Sequence, residues 1–203
     1  MIERYTANER VNHWLTAIAF VLLALSGLAL FHPSMYWLSN LLGGGTWTRI
    51  LHPFTGVVMF VSFFWLAVRF WSHNRWTRAD TQWLARWRDV LGNREEVLPE
   101  AGRYNAGQKL LFWVMVATML SLLASGIVIW RPYFADSFPI TLIRLGALVH
   151  AASAFLLILG IIVHVYAALW VKGSMRAMMR GDVSAAWAKK HHGAWYRDLG
   201  RPR

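Results

Sequence analysis

The stretch from Leu145 to Val171 decides the fold, and it reads LGALVHAASAFLLILGIIVHVYAALWV. It carries no formal charge and is interrupted only by two histidines, His150 and His164. A membrane-spanning helix needs about 20 apolar residues, so this stretch is long enough to cross a bilayer. The histidines are 14 residues apart, which places them on nearly the same helix face and roughly 21 Å apart along the axis. Because ionisable residues at membrane depth are costly, both are candidate functional residues.

The composition of the chain indicates a small helical membrane protein. Of its 203 residues, 57% are hydrophobic and 13 are tryptophan, which is too apolar for an ordinary soluble domain. The absence of cysteine excludes disulfides, cysteine-bound iron–sulfur clusters and covalently attached c-type haem. The net charge of +11 lies mainly in the segments that flank the apolar stretches, which favours contact with a membrane surface over nucleic acid.

Three further uncharged stretches approach spanning length, so the sequence predicts an all-α integral membrane protein with a four-transmembrane-helix bundle. The predicted spans are residues 14–31, 50–68, 110–130 and 145–171 of a single domain, residues 1–203. Lysines and arginines number two before the first span, eight between Arg69 and Lys109, and eight after the fourth, against three in the other two connections. The positive-inside rule therefore predicts that both termini, the loop 72–109 and the tail 172–203 are cytoplasmic.

Two of these basic segments also carry apolar side chains at helical spacing. In the loop, Trp83, Trp87 and Leu91 recur beside arginines, which predicts a short amphipathic helix at the lipid headgroups, with a solvated loop as the alternative. In the tail, Met175 and Trp187 lie among lysines and arginines, which predicts an interfacial or partner-docking helix.

Depth in the membrane sorts the eight histidines into two pairs and a remainder. His13 and His164 are predicted near the cytoplasmic surface, and His52 and His150 near the outer one. Each pair joins two different helices, as a six-coordinate haem between two imidazoles requires. The sequence therefore predicts a dihaem cytochrome b, with its inner haem on the first pair and its outer haem on the second. The remaining histidines are predicted to face solvent or headgroups: His32, His73, His191 and His192.

Small residues on the same helix faces support haem binding. Three glycines lie four residues from a predicted ligand, one turn away on its face: Gly56, Gly146 and Gly160. Gly27 lies 14 residues beyond His13, at the depth of the outer haem, where a larger side chain would collide with it. The Ser26-Gly27 pair recurs as Ser125-Gly126. Close packing of membrane helices is the alternative explanation for such residues.

The segment from Arg103 to Lys109 brings polar side chains to the predicted depth of the inner haem. A quinone reduced there needs hydrogen-bond donors to its carbonyl oxygens and protons from the cytoplasm. Asn105 and Gln108 can donate, as can the second ring N–H of a ligating histidine. The alternative is that Asn105 only caps the third helix.

At these residues the chain resembles the cytochrome b (gamma) subunit of membrane-bound respiratory formate dehydrogenases, over essentially its whole length. The matching segments are Arg10-Val11-Asn12-His13-Trp14, Leu51-His52-Pro53, Tyr104 to Lys109, Gly173 to Met178 and Trp187 to His192. Cytochromes b of hydrogenases and thiosulfate reductases share the histidine spacing, and the tail favours formate dehydrogenase. A haem-free membrane anchor or proton-relay protein is the alternative from another functional class.

The resemblance implies a function for the chain within a larger complex of the bacterial cytoplasmic (inner) membrane. An iron–sulfur (beta) subunit would pass electrons to the outer of two b haems, and the inner haem would reduce menaquinone or ubiquinone at the cytoplasmic side. Asn105 and His164 would contact the quinone head group. A molybdenum- or tungsten-containing catalytic (alpha) subunit would oxidise formate, so this chain performs no formate chemistry itself. The resemblance also implies a trimer of heterotrimers with bound membrane lipids.

Overall fold

The computed structural model describes residues 1–92, 94 and 97–200. Part of the predicted loop 72–109 (residues 93, 95 and 96) and of the predicted tail 172–203 (residues 201–203) therefore lies outside the described residues. The long helices are α1 (Ala7–Phe31), α2 (Gly45–Phe70), α5 (Ala106–Ile129) and α6 (Ile140–Trp170). The shorter elements are β1 (Ile2–Glu3), α3 (Arg78–Ala85), α4 (Trp87–Leu91), α7 (Ser174–Arg180), β2 (Asp182–Val183), α8 (Ala185–His191) and α9 (Gly193–Leu199). Short 3₁₀ turns cover Pro33–Leu42, Trp71–Asn74 and Ala135–Ser137.

The four long helices confirm the prediction of four helical spans. All four are long and apolar enough to cross a membrane. They differ from the predicted spans mainly at their first residues, because each begins four to seven residues earlier. Large apolar side chains on their surfaces are exposed, such as Phe64 (53%) and Trp65 (63%). An apolar surface of this extent favours contact with lipid or with a partner protein.

Local side-chain signals explain where several helices begin. At the start of α1, the Thr6 amide donates to the Glu9 carboxylate (2.8 Å), and the Glu9 amide donates back to the Thr6 hydroxyl (3.4 Å). At the start of α3, the amide and the hydroxyl of Thr77 both donate to Asp80 Oδ2 (2.7 and 2.6 Å). Such side-chain bonds satisfy backbone N–H groups that have no partner within the helix. At α1 they allow the helix to begin before its apolar stretch.

Residues 11–66 and 114–163 form one compact unit, which we call the helical unit. Each long helix contributes one buried residue to its core: Ala19, Met59, Met119 and Leu157. Polar contacts add to this packing, since the Ser62 hydroxyl donates to Asn12 Oδ1 (2.6 Å) and the Ser121 and Ser153 hydroxyls are hydrogen-bonded (2.8 Å). A Cβ at Gly146 would lie 3.0 Å from Val128 Cγ1. That contact favours close helix packing as the reason for this glycine.

Residues 1–10, 67–113 and 164–203 form the second compact unit, the terminal unit. Strands β1 and β2 pair in antiparallel register, with Ile2 opposite Val183. A small core of Ala177, Val183, Ala188 and Trp195 lies beside them. Gly181 adopts a φ of 92°, and a Cβ there would lie 2.7 Å from the Tyr5 carbonyl oxygen, so this turn requires glycine.

The two predicted amphipathic helices are wrong in their extent. The loop segment is divided at Arg86 into α3 and α4, whose backbone at this residue (φ −100°, ψ 29°) leaves the helical range. Over its described residues, 172–200, the tail forms three short helices rather than one. Gly181 and β2 separate α7 from α8, and a bend at His192 separates α8 from α9. Apolar spacing alone did not indicate these backbone breaks.

Candidate functional site

His52 of α2 and His150 of α6 face each other inside the helical unit. Their ring centroids lie 6.3 Å apart, with an angle of 67° between the ring planes. Both side chains are half-buried. The structure therefore brings together the two residues that depth had paired, from two different helices.

A serine holds each of these histidines from a third and a fourth helix. Ser26 of α1 lies with its hydroxyl oxygen 2.7 Å from His52 Nδ1, and Ser125 of α5 lies 3.0 Å from His150 Nδ1. Both serines are buried, at 1% and 6% exposure. The side chains of four helices thus meet at one place, in two matching serine–histidine pairs.

The glycine that follows each serine lies against the same imidazole. A Cβ at Gly27 would lie 3.4 Å from His52 Cε1, and a Cβ at Gly126 would lie 3.4 Å from His150 Cε1. The repeated Ser-Gly pair therefore has the same arrangement at both histidines. The serine binds the ring nitrogen, and the glycine leaves room for the ring. The repeat is visible in the sequence, but the sequence does not assign the serines to the histidines.

His13 and His164 belong to different units of the structure. His13 lies in the second turn of α1, with its ring perpendicular to that of Trp14 at a centroid distance of 5.5 Å. His164 lies on α6, 14 residues beyond His150, and is half-buried. Their pairing around an inner haem stays a prediction.

Asn105 and Gln108 form a capping box at the start of α5. The Asn105 amide N–H donates to Gln108 Oε1 (3.0 Å), and the Gln108 amide N–H donates to Asn105 Oδ1 (2.9 Å). Asn105 therefore caps α5. The box engages the side-chain oxygens of both residues and makes no use of their NH₂ groups, which are the donors that a quinone carbonyl would need. Quinone binding here stays a prediction.

A cavity of about 210 Å³ lies beside this capping box in the terminal unit, and its lining includes Asp80, Glu100, Asn105 and Lys109. Lys109 Nζ lies 2.8 Å from Asp80 Oδ2, and both side chains are buried. Burial alone would raise the pKa of Asp80, but hydrogen bonds from Lys109 and Thr77 outweigh it and lower the pKa. The cavity thus brings a fixed ion pair and an amide to a small space with a mainly apolar lining.

Comparisons with known proteins identify the family of the chain. Residues 4–181 match the model of the family described as prokaryotic cytochrome b561. The chain belongs to this family. It is also 50% identical to the formate dehydrogenase cytochrome b556(fdo) subunit of Escherichia coli K12, over 98% of this chain and 93% of the relative. The nitrate-inducible formate dehydrogenase cytochrome b556 subunit of the same organism is 44% identical (98% and 92%), and the formate dehydrogenase cytochrome b556 subunit of Haemophilus influenzae is 43% identical (97% and 83%).

His192 of this b561-family chain was predicted to face solvent or headgroups, and that prediction is wrong. It is 2% exposed. Its Nδ1 donates to the Gly102 carbonyl (2.8 Å), and its Nε2 accepts from Arg4 Nη2 (3.2 Å). Burial, followed by the charge of Arg4, lowers the pKa of His192 to about 3. The other three histidines that were predicted to face solvent or headgroups are less buried. His32 and His73 are exposed, and His191 is half-buried.

Arg4 is buried in the terminal unit of this b561-family chain. It is not among the candidate residues identified from the sequence. It is 3% exposed, and its guanidinium lies 4.8 Å from the ring centroid of Trp195 and 5.1 Å from that of Trp187. It also donates to the Arg103 carbonyl (2.7 Å). Cation–π contacts and hydrogen bonds together offset the cost of burying this charge.

Proposed function

We propose that this chain is the cytochrome b subunit of a membrane-bound formate dehydrogenase and carries electrons through two b haems to quinone. The observation that carries the proposal is the opposed His52–His150 pair. The relatives supply the identity of the complex, because three formate dehydrogenase cytochrome subunits are 43–50% identical to this chain over nearly its full length.

The donor set of the His52–His150 pair fits a haem iron. Two imidazoles from different helices lie with their ring centroids 6.3 Å apart, and these residues would hold the iron. Two glycines give the rings room, and two serines orient them. When bound, the haem supplies one-electron redox chemistry.

His13 and His164 would hold the second haem, which extends the electron path along α6. Depth supports this assignment, since His164 is 14 residues beyond His150 on the same helix. The distribution of lysine and arginine supports a cytoplasmic location for both termini, and therefore for this second haem. Electrons would then move from the outer face to the cytoplasmic face.

Quinone would be reduced by the second haem, with the NH₂ groups of Asn105 and Gln108 as donors to its carbonyl oxygens. The Asn105–Gln108 capping box supports this assignment because it fixes the orientation of both amides. Protons for the quinone would come from the cytoplasm. The partners would be an iron–sulfur subunit that donates electrons and a molybdenum- or tungsten-containing subunit that oxidises formate, in a trimer of heterotrimers. Menaquinone or ubiquinone would be the acceptor.

The test is the haem content and the formate-driven quinone reduction of the purified complex, with the wild-type chain and with histidine variants. We expect a reduced b-type absorption spectrum and two haems per chain. His52→Ala should retain one haem and abolish formate-driven quinone reduction. His73→Ala is the matched control, since this exposed histidine follows the same helix, and it should retain both haems. A folded but colourless protein, or equal haem loss in the two variants, would contradict the proposal.

Copurification with a donor other than a formate dehydrogenase would contradict the assignment of the complex.

A further inference from the structure

We propose that Ser26 and Ser125 are positioning residues for His52 and His150, which fix the nitrogen that each imidazole offers to the iron and set the reduction potential of that haem. This inference rests on the proposed function, because it requires that the two histidines hold a haem. It goes beyond the ligands themselves to the groups that control them.

The hydrogen bond of Ser26 to its own helix determines the direction of its bond to His52. The Ser26 hydroxyl has a single hydrogen, and its oxygen lies 2.7 Å from the Leu22 carbonyl oxygen, which can only accept. That hydrogen is therefore engaged, and the serine oxygen presents a lone pair to His52 Nδ1, 2.7 Å away. The contact is a hydrogen bond when Nδ1 carries the proton.

Ser125 repeats the arrangement on α5. Its hydroxyl donates to the Ser121 carbonyl oxygen (2.6 Å), so its lone pair faces His150 Nδ1 at 3.0 Å. A neutral imidazole has one N–H and one acceptor nitrogen. With Nδ1–H bound to serine, both His52 and His150 present the lone pair of Nε2. A metal needs this lone pair, and the serines give both ligands the same tautomer.

The hydrogen bonds to Ser26 and Ser125 also affect how basic the imidazoles of His52 and His150 are. An imidazole whose distal N–H is held by an acceptor is a more basic ligand. A more basic ligand favours the oxidised iron and lowers the reduction potential, since hydrogen bonding around the ligands is one of the protein's controls over haem. The Ser26 bond is shorter than the Ser125 bond, 2.7 Å against 3.0 Å, so Ser26 should have the larger effect.

Helix packing alone does not require the contacts with histidine. Thr118 shows this on α5, where its buried hydroxyl bonds to the Val114 and Met115 carbonyls (2.9 and 3.0 Å). Thr118 is thus a matched control for Ser125, since it makes the same bonds to its own helix in the same unit. If Ser125 had only a structural role, removal of its hydroxyl and removal of the Thr118 hydroxyl would have similar effects on the haem potentials.

The experiment is a redox titration of the purified full-length cytochrome, followed by haem absorbance and electron paramagnetic resonance. We expect Ser26→Ala and Ser125→Ala to retain two haems per chain and to raise the midpoint potential of one of them, more for Ser26→Ala. The other haem is an internal reference and should titrate as in the wild type. Thr118→Ala should leave both potentials unchanged. Potentials in the serine variants that match those of Thr118→Ala would overturn the inference.

Two further variants keep the outcomes distinct. If Ser26→Ala loses a haem, Ser26→Thr restores the hydroxyl and should restore the haem; loss in both variants overturns the inference. His52→Ala and His150→Ala test the proposed function separately. If these two variants retain both haems, the ligand assignment fails and the inference fails with it. If they lose one haem while the serine variants titrate as the wild type does, the inference alone fails.

Discussion

Arg4 donates a hydrogen bond to His192 across 188 residues of sequence, with Nη2 3.2 Å from Nε2 in the interior of the terminal unit. The bond requires a neutral imidazole, because a protonated one would place two positive charges in contact. It also joins the first strand region of the chain to its last helices. The packing of the terminal unit therefore depends on the protonation state of one buried side chain.

Acidification should destabilise the protein through His192. Burial and the nearby charges of Arg4 and His191 lower its pKa from 6.5 to about 3 in the folded state. Between these values the unfolded chain binds a proton that the folded chain does not, so stability present above pH 6.5 is lost as the pH falls, by up to about 1.4 kcal/mol per pH unit. We expect His192→Gln, whose amide can donate to Gly102 and accept from Arg4, to show a shallower decrease of Tm from pH 7 to pH 5. Parallel Tm–pH curves would contradict this.

The buried Asp80–Lys109 pair should contribute strongly to stability. Its Nζ to Oδ2 distance is 2.8 Å, and the side chains are 7% and 8% exposed. Removal of one partner leaves a buried charge without compensation, which costs about 3–5 kcal/mol. We expect Asp80→Ala to lower the Tm by several degrees in a thermal unfolding scan. In the double variant Asp80→Ala/Lys109→Ala the loss should be smaller than the sum of the two single losses.

An exposed ion pair in the same unit provides the control. The carboxylate of Glu100 contacts the guanidinium of Arg197, and both side chains are 55% exposed. The hydrogen bond from Arg197 lowers the pKa of Glu100, but solvent screens exposed charges, so the pair contributes little to stability. Glu100→Ala should leave the Tm nearly unchanged. A loss equal to that of Asp80→Ala would show that burial does not distinguish the pairs.

The sequence predicted the features that depend on apolar content. It did not predict the contacts between residues that are distant in the sequence. Uncharged length was sufficient to identify four long helices, and helical depth paired His52 with His150. Ser26 was not assigned to His52, because their contact depends on the rotation of α1 relative to α2, which the pattern of an almost wholly apolar helix does not specify. His192 appeared exposed because two adjacent histidines in a basic tail are usually solvated. Its partners, Arg4 and Gly102, come from other parts of the chain.

The glycine against His52 should limit the side chains tolerated at its position. A Cβ at Gly27 would lie 3.4 Å from His52 Cε1, which one methyl group can accommodate with a small adjustment. A longer side chain would displace the imidazole, with a cost of about 1–3 kcal/mol from overpacking. We expect Gly27→Ala to retain two haems and Gly27→Leu to lose one of them, as measured by haem content per chain. Full haem content in Gly27→Leu would show that the ring is free to move.

The amide of Asn105 should separate helix capping from quinone binding. Asn105→Asp retains the oxygen that accepts from the Gln108 N–H but loses the NH₂ donor, whereas Asn105→Ala loses both. The cap is worth about 1 kcal/mol, so Asn105→Ala should lower the Tm, and Asn105→Asp should not. Both variants should slow quinone reduction, by roughly fivefold or more if one hydrogen bond of about 1 kcal/mol is lost, while both haems are retained. Normal turnover in Asn105→Asp, measured with a soluble quinone, would limit Asn105 to capping α5.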